Sequence, residues 1–200
     1  MKVLIACEFS GIVREAFRKE GHDAWSCDLL PTEIEGNHIQ GDVLEVLDNG
    51  WDMMIAHPPC TYLANVGNAW LKQHGRIEKR KEAIEFFMML TNAPIPKIAI
   101  ENPVGCMSTI YRKPDQYIQP YYFGDNAMKK TCIWLKNLPL LQPTKILSKP
   151  KPIYTFKRPN GKIRKTYFVD SMPPSLDRAK KRSRTFKGIA DAMAKQWGIK

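Results

Sequence analysis

No apolar run in this chain approaches the roughly 20 residues that cross a bilayer as a helix, which argues against a membrane role. The opening residues Met1–Glu8 carry charge too early for a signal peptide, so a cytoplasmic location is expected. The five cysteines (Cys7, Cys27, Cys60, Cys106 and Cys132) are odd in number and form no CxxC pair, which argues against a disulfide framework. Histidine is scarce: His22, His38, His57 and His74 make no ligand pairs with those cysteines, and no metal is expected. Internal repeats are also missing, which sets aside solenoid architectures.

What is present suits one core with at most a short appendage: 200 residues, 44% hydrophobic and 26% charged. The charge is unevenly placed. Residues 140–200 hold 16 Lys/Arg against 3 Asp/Glu, whereas residues 1–139 hold 15 against 17. A basic section on a near-neutral body suits a polyanionic partner, although a solvated surface reads the same way from charge alone.

The first hundred residues alternate between strand and helix patterns. Val3–Cys7 reads as a strand, Gly11 as a turn, and Ile12–Lys19 as a helix that Gly21 stops. Ile12 and Ala16 are expected to face inward on that helix, with Val13 and Phe17 as further candidates, and Arg14, Arg18 and Lys19 outward. Asp23–Cys27 is a second strand ending at Asp28; His38–Gln40 is a third, followed by Gly41-Asp42 and a short helix. Asp52–Ala56 enters His57-Pro58-Pro59-Cys60, and Lys97–Ile100 ends at Glu101-Asn102. Between them, Arg76–Leu90 places Ile77, Ile84, Phe87 and Met88 at helical spacing. Such alternation implies an α/β fold with a mainly parallel sheet and helices on both faces. Ligands bind at the carboxyl ends of strands in these sheets, so Glu8–Gly11, Asp28, Asp42, His57–Cys60 and Glu101-Asn102 gather on one edge.

Later residues pattern more weakly. Ile118–Phe123 and Thr131–Leu135 read as strands, and Asn160-Gly161 as a turn between Ile153–Lys157 and Arg164–Val169. Phe186, Ile189, Ala190, Met193, Ala194 and Trp197 form a helical stripe. The expected organisation is a core over 1–139, a basic loop or hairpin over 140–175, and a helix over 176–200 returning to the core.

Cys60 follows two prolines at a strand end, where a rigid loop presents its thiol at the ligand edge. Pro-Cys alone also fits a buried structural cysteine. Glu101 ends the next strand, where a carboxylate can face the thiol. Phe9-Ser10-Gly11 and Asp28 suit a nucleoside cofactor: close backbone at the turn, and an acceptor for ribose hydroxyls.

In order, Phe9-Ser10-Gly11, Asp28, Gly41-Asp42, Pro58-Pro59-Cys60 and Glu101-Asn102 resemble the motif series of the DNA cytosine-C5 methyltransferases. The match covers about the first 105 residues, and the chain looks like a small phage or prophage member without a full target-recognition region. The resemblance implies a Rossmann-like methyltransferase fold that binds S-adenosylmethionine through Phe9, Ser10, Gly11, Asp28, Asp42 and Pro58. It also implies that Cys60 adds to cytosine C6, that Glu101 holds or protonates N3, and that Asn102 helps orient the base. DNA, duplex or single-stranded, is the implied partner. The basic residues available to it are Lys129, Lys130, Lys157, Arg158, Lys162, Arg164, Lys165, Arg182 and Arg184, with Tyr154, Phe156, Tyr167 and Phe168 interleaved.

Several residues depart from the family pattern. Val13 replaces the second turn glycine, His57 stands where glycine is usual, Thr61 replaces a glutamine, and Pro103 follows Glu-Asn. Lys129-Lys130-Thr131 only echoes the family's QxRxR segment. Three other readings remain open: an amino-methyltransferase of adenine N6 or cytosine N4, C5 methylation of a nucleotide or RNA, and a non-catalytic nucleic-acid-binding protein on a decayed methyltransferase fold.

Overall fold

A computed structural model describes all residues except His74, Pro174, Leu176 and Lys200. The chain runs β1 (Lys2–Ala6), α1 (Ile12–Lys19), β2 (Asp23–Asp28), β3 (His38–Gln40), β4 (Met53–Ala56), α2 (Arg76–Thr91) and β5 (Lys97–Pro103). It continues through α3 (Met107–Ile110), β6 (Gln116–Ile118), β7 (Thr131–Lys136), β8 (Tyr154–Lys157) and β9 (Ile163–Thr166). The last elements are α4 (Phe168–Ser171), α5 (Arg178–Ser183) and α6 (Lys187–Trp197).

Seven strands form one sheet in the order β3-β2-β1-β4-β5-β7-β6, parallel except for β7, which runs antiparallel to both neighbours. β1 and β4 are nearly continuous apolar runs because both of their faces are covered. On one face α1 and α6 pack through Val13, Phe17, Ile189, Met193 and Trp197. On the other, Phe87 and Leu90 of α2 meet Leu4, Met54 and Trp134. The strand order reverses direction between β1 and β4, which opens the crevice where such sheets bind ligands. No helix among the described residues is long and apolar enough to cross a membrane.

Two local expectations need correcting. Arg14 does not face solvent: its side chain is fully buried. Its guanidinium donates to Ser26 Oγ (2.9 Å), Thr32 Oγ1 (3.2 Å) and the backbone carbonyls of Ile34 and Glu35, with Nε on Glu15 (2.9 Å). The loop after β2 therefore folds over the start of α1, held there by Arg14 and by the Glu33 amide on the Phe9 carbonyl (2.9 Å). The strand expected over Ile118–Phe123 stops at Ile118, because Pro120 has no amide to donate and starts a short 3-10 turn, Pro120–Tyr122.

The Asn160-Gly161 turn joins β8 and β9 into a separate two-stranded hairpin, with Gly161 in the left-handed region (φ 78°). Gly188 lets α6 dock: a side-chain carbon there would collide with the Phe123 carbonyl. The amide of Gly188 instead donates to Asp125 Oδ2 at 2.9 Å.

Candidate active site at the ends of β4 and β5

Parallel register pairs Ala56 with Ile100, so the residues that follow, His57 and Glu101, emerge side by side. His57 Nδ1 lies 3.1 Å from Glu101 Oε2, with the two side chains only 7% and 15% exposed. One residue further on, the Asn102 side-chain amide donates to the Pro58 carbonyl at 2.8 Å, from a fully enclosed position. The loop carrying Cys60 is thereby tied to the strand carrying Glu101. Beyond Cys60, the amides of Leu63 and Ala64 close a turn onto the Cys60 carbonyl. Cys106 then donates its amide to the Leu63 carbonyl at 2.9 Å. Gly105 permits this approach, since any side-chain carbon at that position would strike Leu63.

Charge is concentrated around the thiol. Burial pushes the Glu101 carboxyl up, but Lys129, His57 and Thr131 outweigh it and hold the group below the usual carboxylate range. Cys60 is exposed as a residue, yet atoms crowd its sulfur. Desolvation and then the Glu101 charge push the thiol up, while Lys129 and Arg182 pull it back. At rest the pair is therefore an ionised acid beside a largely protonated thiol. A narrow cleft continues from Glu101 past Lys129, Thr131 and Thr185.

The residues expected to hold a cofactor occupy the neighbouring strand ends. Cys7, just past β1, has a left-handed backbone (φ 57°), a strained conformation for a non-glycine residue. Burial raises its thiol pKa, and the charge of Asp28, with Cys27 and Asp42, raises it further, so both carboxylates lie near this strand end. Asp28 Oδ1 accepts from the Leu30 amide at 2.9 Å and Asp42 Oδ1 from Leu44 at 3.0 Å. Phe9, Ser10 and Gly11 are buried, with Gly11 at φ 72°. Glu8, buried beneath them, accepts from Ser10 Oγ (3.0 Å), Val13 N (2.8 Å) and Arg14 N (3.2 Å). The Lys180 ammonium sits 5.1 Å from the centre of the Phe9 ring.

The basic residues separate into two groups. Lys157, Arg158, Lys162, Arg164 and Lys165 are exposed on the β8–β9 hairpin, beside the exposed Tyr154 and Phe156. Arg164 lies over Phe156 (5.7 Å), and Lys130 over Tyr117 (4.2 Å). By contrast, Arg184 is committed to Glu33 through two bonds of 2.8 and 2.7 Å, and Arg182 pairs with Asp170 at 3.3 Å. Lys129 belongs with the acid and the thiol. Sequence reasoning missed the roles of Glu8, His57 and Gly105. Of these, His57 carried a signal as the ionisable residue next to the paired prolines, and Glu8 by its place at the ligand edge after the first strand.

No family model and no curated protein matches the chain. Among solved structures, it is similar to one provisionally described as a DNA modification methyltransferase encoded within a prophage of E. coli. The identity is 15% and the TM-score 0.50, over 74% of this chain and 52% of that one. The chain thus spans about half the length of that neighbour. The fold is the Rossmann-like α/β fold of methyltransferases, with a seven-stranded, mostly parallel sheet.

Proposed function

We propose that this chain is an S-adenosylmethionine-dependent DNA methyltransferase acting on C5 of cytosine, with Cys60 as the covalent nucleophile. The observation carrying the proposal is the tie between the Cys60 loop and the Glu101 strand, made by Asn102 on the Pro58 carbonyl. It ties the loop that carries the thiol to the strand that carries the carboxyl. The solved neighbour's description as a DNA modification methyltransferase agrees with this reading.

Aromatic C5 is a poor nucleophile until C6 becomes tetrahedral. The Cys60 thiol would give up its proton to the ionised Glu101 and form a bond to C6, with the ring's π electrons moving onto N3, where Glu101 delivers that proton. Proton loss from C5 and expulsion of Cys60 then restore the ring. When bound, S-adenosylmethionine supplies the methyl group. In duplex DNA the base must leave the stack at a cost of a few kcal/mol.

The strand ends fit a nucleoside donor: Asp28 and Asp42 supply acceptors for hydroxyl and amino groups beside the kinked backbone at Cys7. At the other end, Glu8 takes the first amides of α1, so the donor's carboxylate would rely on Lys180. The β8–β9 hairpin suits phosphate gripping and base stacking without extensive sequence readout.

Incubation with labelled S-adenosylmethionine and DNA should yield 5-methylcytosine on hydrolysis, and Cys60→Ser should yield none. N6-methyladenine or N4-methylcytosine would instead assign an amino-methyltransferase. One observation favours a second reading, a nucleic-acid-binding protein without catalysis: the Glu8 carboxylate occupies the turn next to the donor position. DNA binding without uptake of S-adenosylmethionine would establish that reading.

A further inference from the structure

We infer that the β8–β9 hairpin is a docking surface for single-stranded DNA, so that the chain engages an unpaired stretch in preference to duplex; the choice of DNA rests on the methyltransferase reading above. Among the described residues, the two strands of the hairpin pair only with each other, apart from the seven-stranded sheet. Register sorts its side chains by face, since residues directly opposite project together and neighbours along a strand alternate. Tyr154, Phe156, Arg164 and Thr166 share one face; Thr155, Lys157, Ile163 and Lys165 share the other. Tyr154 is 62% exposed and Phe156 47%, with the Arg164 guanidinium 5.7 Å from the centre of the Phe156 ring.

Charge identifies the occupant. Residues 126–169 contain no Asp or Glu, and Lys157, Arg158, Lys162, Arg164 and Lys165 all lie exposed on the strands and turn. Two exposed rings among five cations fit a polyanion whose units also carry flat faces, which is a nucleic acid. Spacing decides between its paired and unpaired forms. Positions 154 and 156 stand about 6.8 Å apart along the strand, twice the step of about 3.4 Å between stacked bases. In a duplex each base is covered above and below, so an aromatic side chain enters only by prising a step apart. The bases of an unpaired strand can splay to the wider spacing and offer free faces to both rings, with Arg164 extending the platform. Arg158 and Lys162 at the turn, and Lys157 and Lys165 on the other face, are left for phosphates of the same strand. An unpaired target also spares the base the cost of leaving the stack.

Fluorescence anisotropy on the full chain, without S-adenosylmethionine and at one fixed salt concentration, tests this surface by itself. The probes are a labelled DNA strand of about 12 nucleotides, within the usual site size, its blunt duplex, an abasic strand of equal length, and the RNA strand of the same sequence. The single DNA strand should bind more tightly than its duplex. Tyr154→Ala with Phe156→Ala should weaken that binding about ten- to hundredfold, the range for two lost stacking contacts. The same pair should barely change binding of the duplex or the abasic strand, which offer phosphates but no free base. Tyr154→Trp with Phe156→Trp should keep the wild-type preference, which separates ring stacking from damage to the hairpin. A wild type that holds duplex at least as tightly, equal losses on all probes, no loss at all, or tighter binding of the RNA strand overturns the inference. Failure of the methyltransferase reading shows elsewhere: single-strand preference without 5-methylcytosine formation sinks that reading alone, and methyl transfer by a chain that prefers duplex sinks this inference alone.

Discussion

The Asn102 amide and the Pro58 carbonyl meet at 2.8 Å inside the protein, joining the thiol-bearing loop to the strand that carries the acid. Replacing Asn102 with Ala strands a buried carbonyl, at a cost of about 1–3 kcal/mol. For a chain of this size, each kcal/mol lowers the melting temperature by about 2–4 °C. Asn102→Ala should therefore melt several degrees lower by calorimetry. Its Cys60 adduct should form more slowly even at temperatures where the protein is fully folded, because loop and strand no longer hold register.

Glu101→Gln should separate formation of the nucleophile from catalysis. The Glu101 charge is one of the two influences that raise the Cys60 thiol, so removing it should move the alkylation profile of Cys60 to lower pH. Iodoacetamide labelling near pH 8, read by peptide mass spectrometry, should become faster. Methyl transfer should nearly cease. Slower labelling would mean that the two groups do not share one electrostatic environment.

Acid stability follows from the same carboxyl. Glu101 titrates below its ordinary value of about 4.3, so its native pairing contributes full stability above that value and loses it as pH falls through the depressed value. Lys129→Met removes the largest stabilising charge and should narrow the difference in urea midpoint between pH 6 and pH 3. An unchanged difference would show that Lys129 does not support the carboxylate.

Arg14→Leu should be the most destabilising single change discussed here. It leaves the Glu35 carbonyl without its donor and takes one donor each from the Ile34 carbonyl, which keeps the Thr32 hydroxyl, and from the Ser26 and Thr32 hydroxyls. Loss of a buried, multiply bonded charge costs about 3–5 kcal/mol, readable as a shift in urea midpoint. The loop over residues 29–36 should become the first site of proteolytic nicking.

The two groups of arginines should behave differently toward DNA. Arg164→Gln with Lys165→Gln should leave the melting temperature unchanged and reduce the slope of log K against log salt by about two on duplex. Arg184→Gln should barely alter that slope, because its guanidinium is already spent on Glu33. It should instead loosen the contact between α5 and the loop after β2. Equal slopes for both variants would move the nucleic-acid surface away from the hairpin.

The central sheet was legible because buried parallel strands write themselves as short apolar runs: Val3–Cys7, Asp52–Ala56 and Lys97–Ile100 fall where β1, β4 and β5 form. Glu101 could be set beside the Cys60 loop because strand order and register follow from the βα alternation. Arg14 was not legible. Its burial depends on Ser26 of β2 and on the distant loop that folds over it, neither of which is near it in sequence. Pro120 was a visible breaker inside an aromatic run whose strand propensity concealed it. Glu8 could be placed at the ligand edge by its position after β1, but not its role: its three bonds exist only once the chain doubles back into α1. The pairing of His57 with Glu101 needed the register of two strands more than forty residues apart.

Gly105 has a consequence for how this protein can change. With no room for a side chain against Leu63, the segments that carry Leu63 and Gly105 lie backbone to backbone, like two plates sharing a rivet. Sequence drift can remodel the hairpin, the C-terminal helices or the outer loops one at a time. At this rivet even an added methyl would part the plates, so whatever chemistry the cleft performs is inherited whole or lost whole.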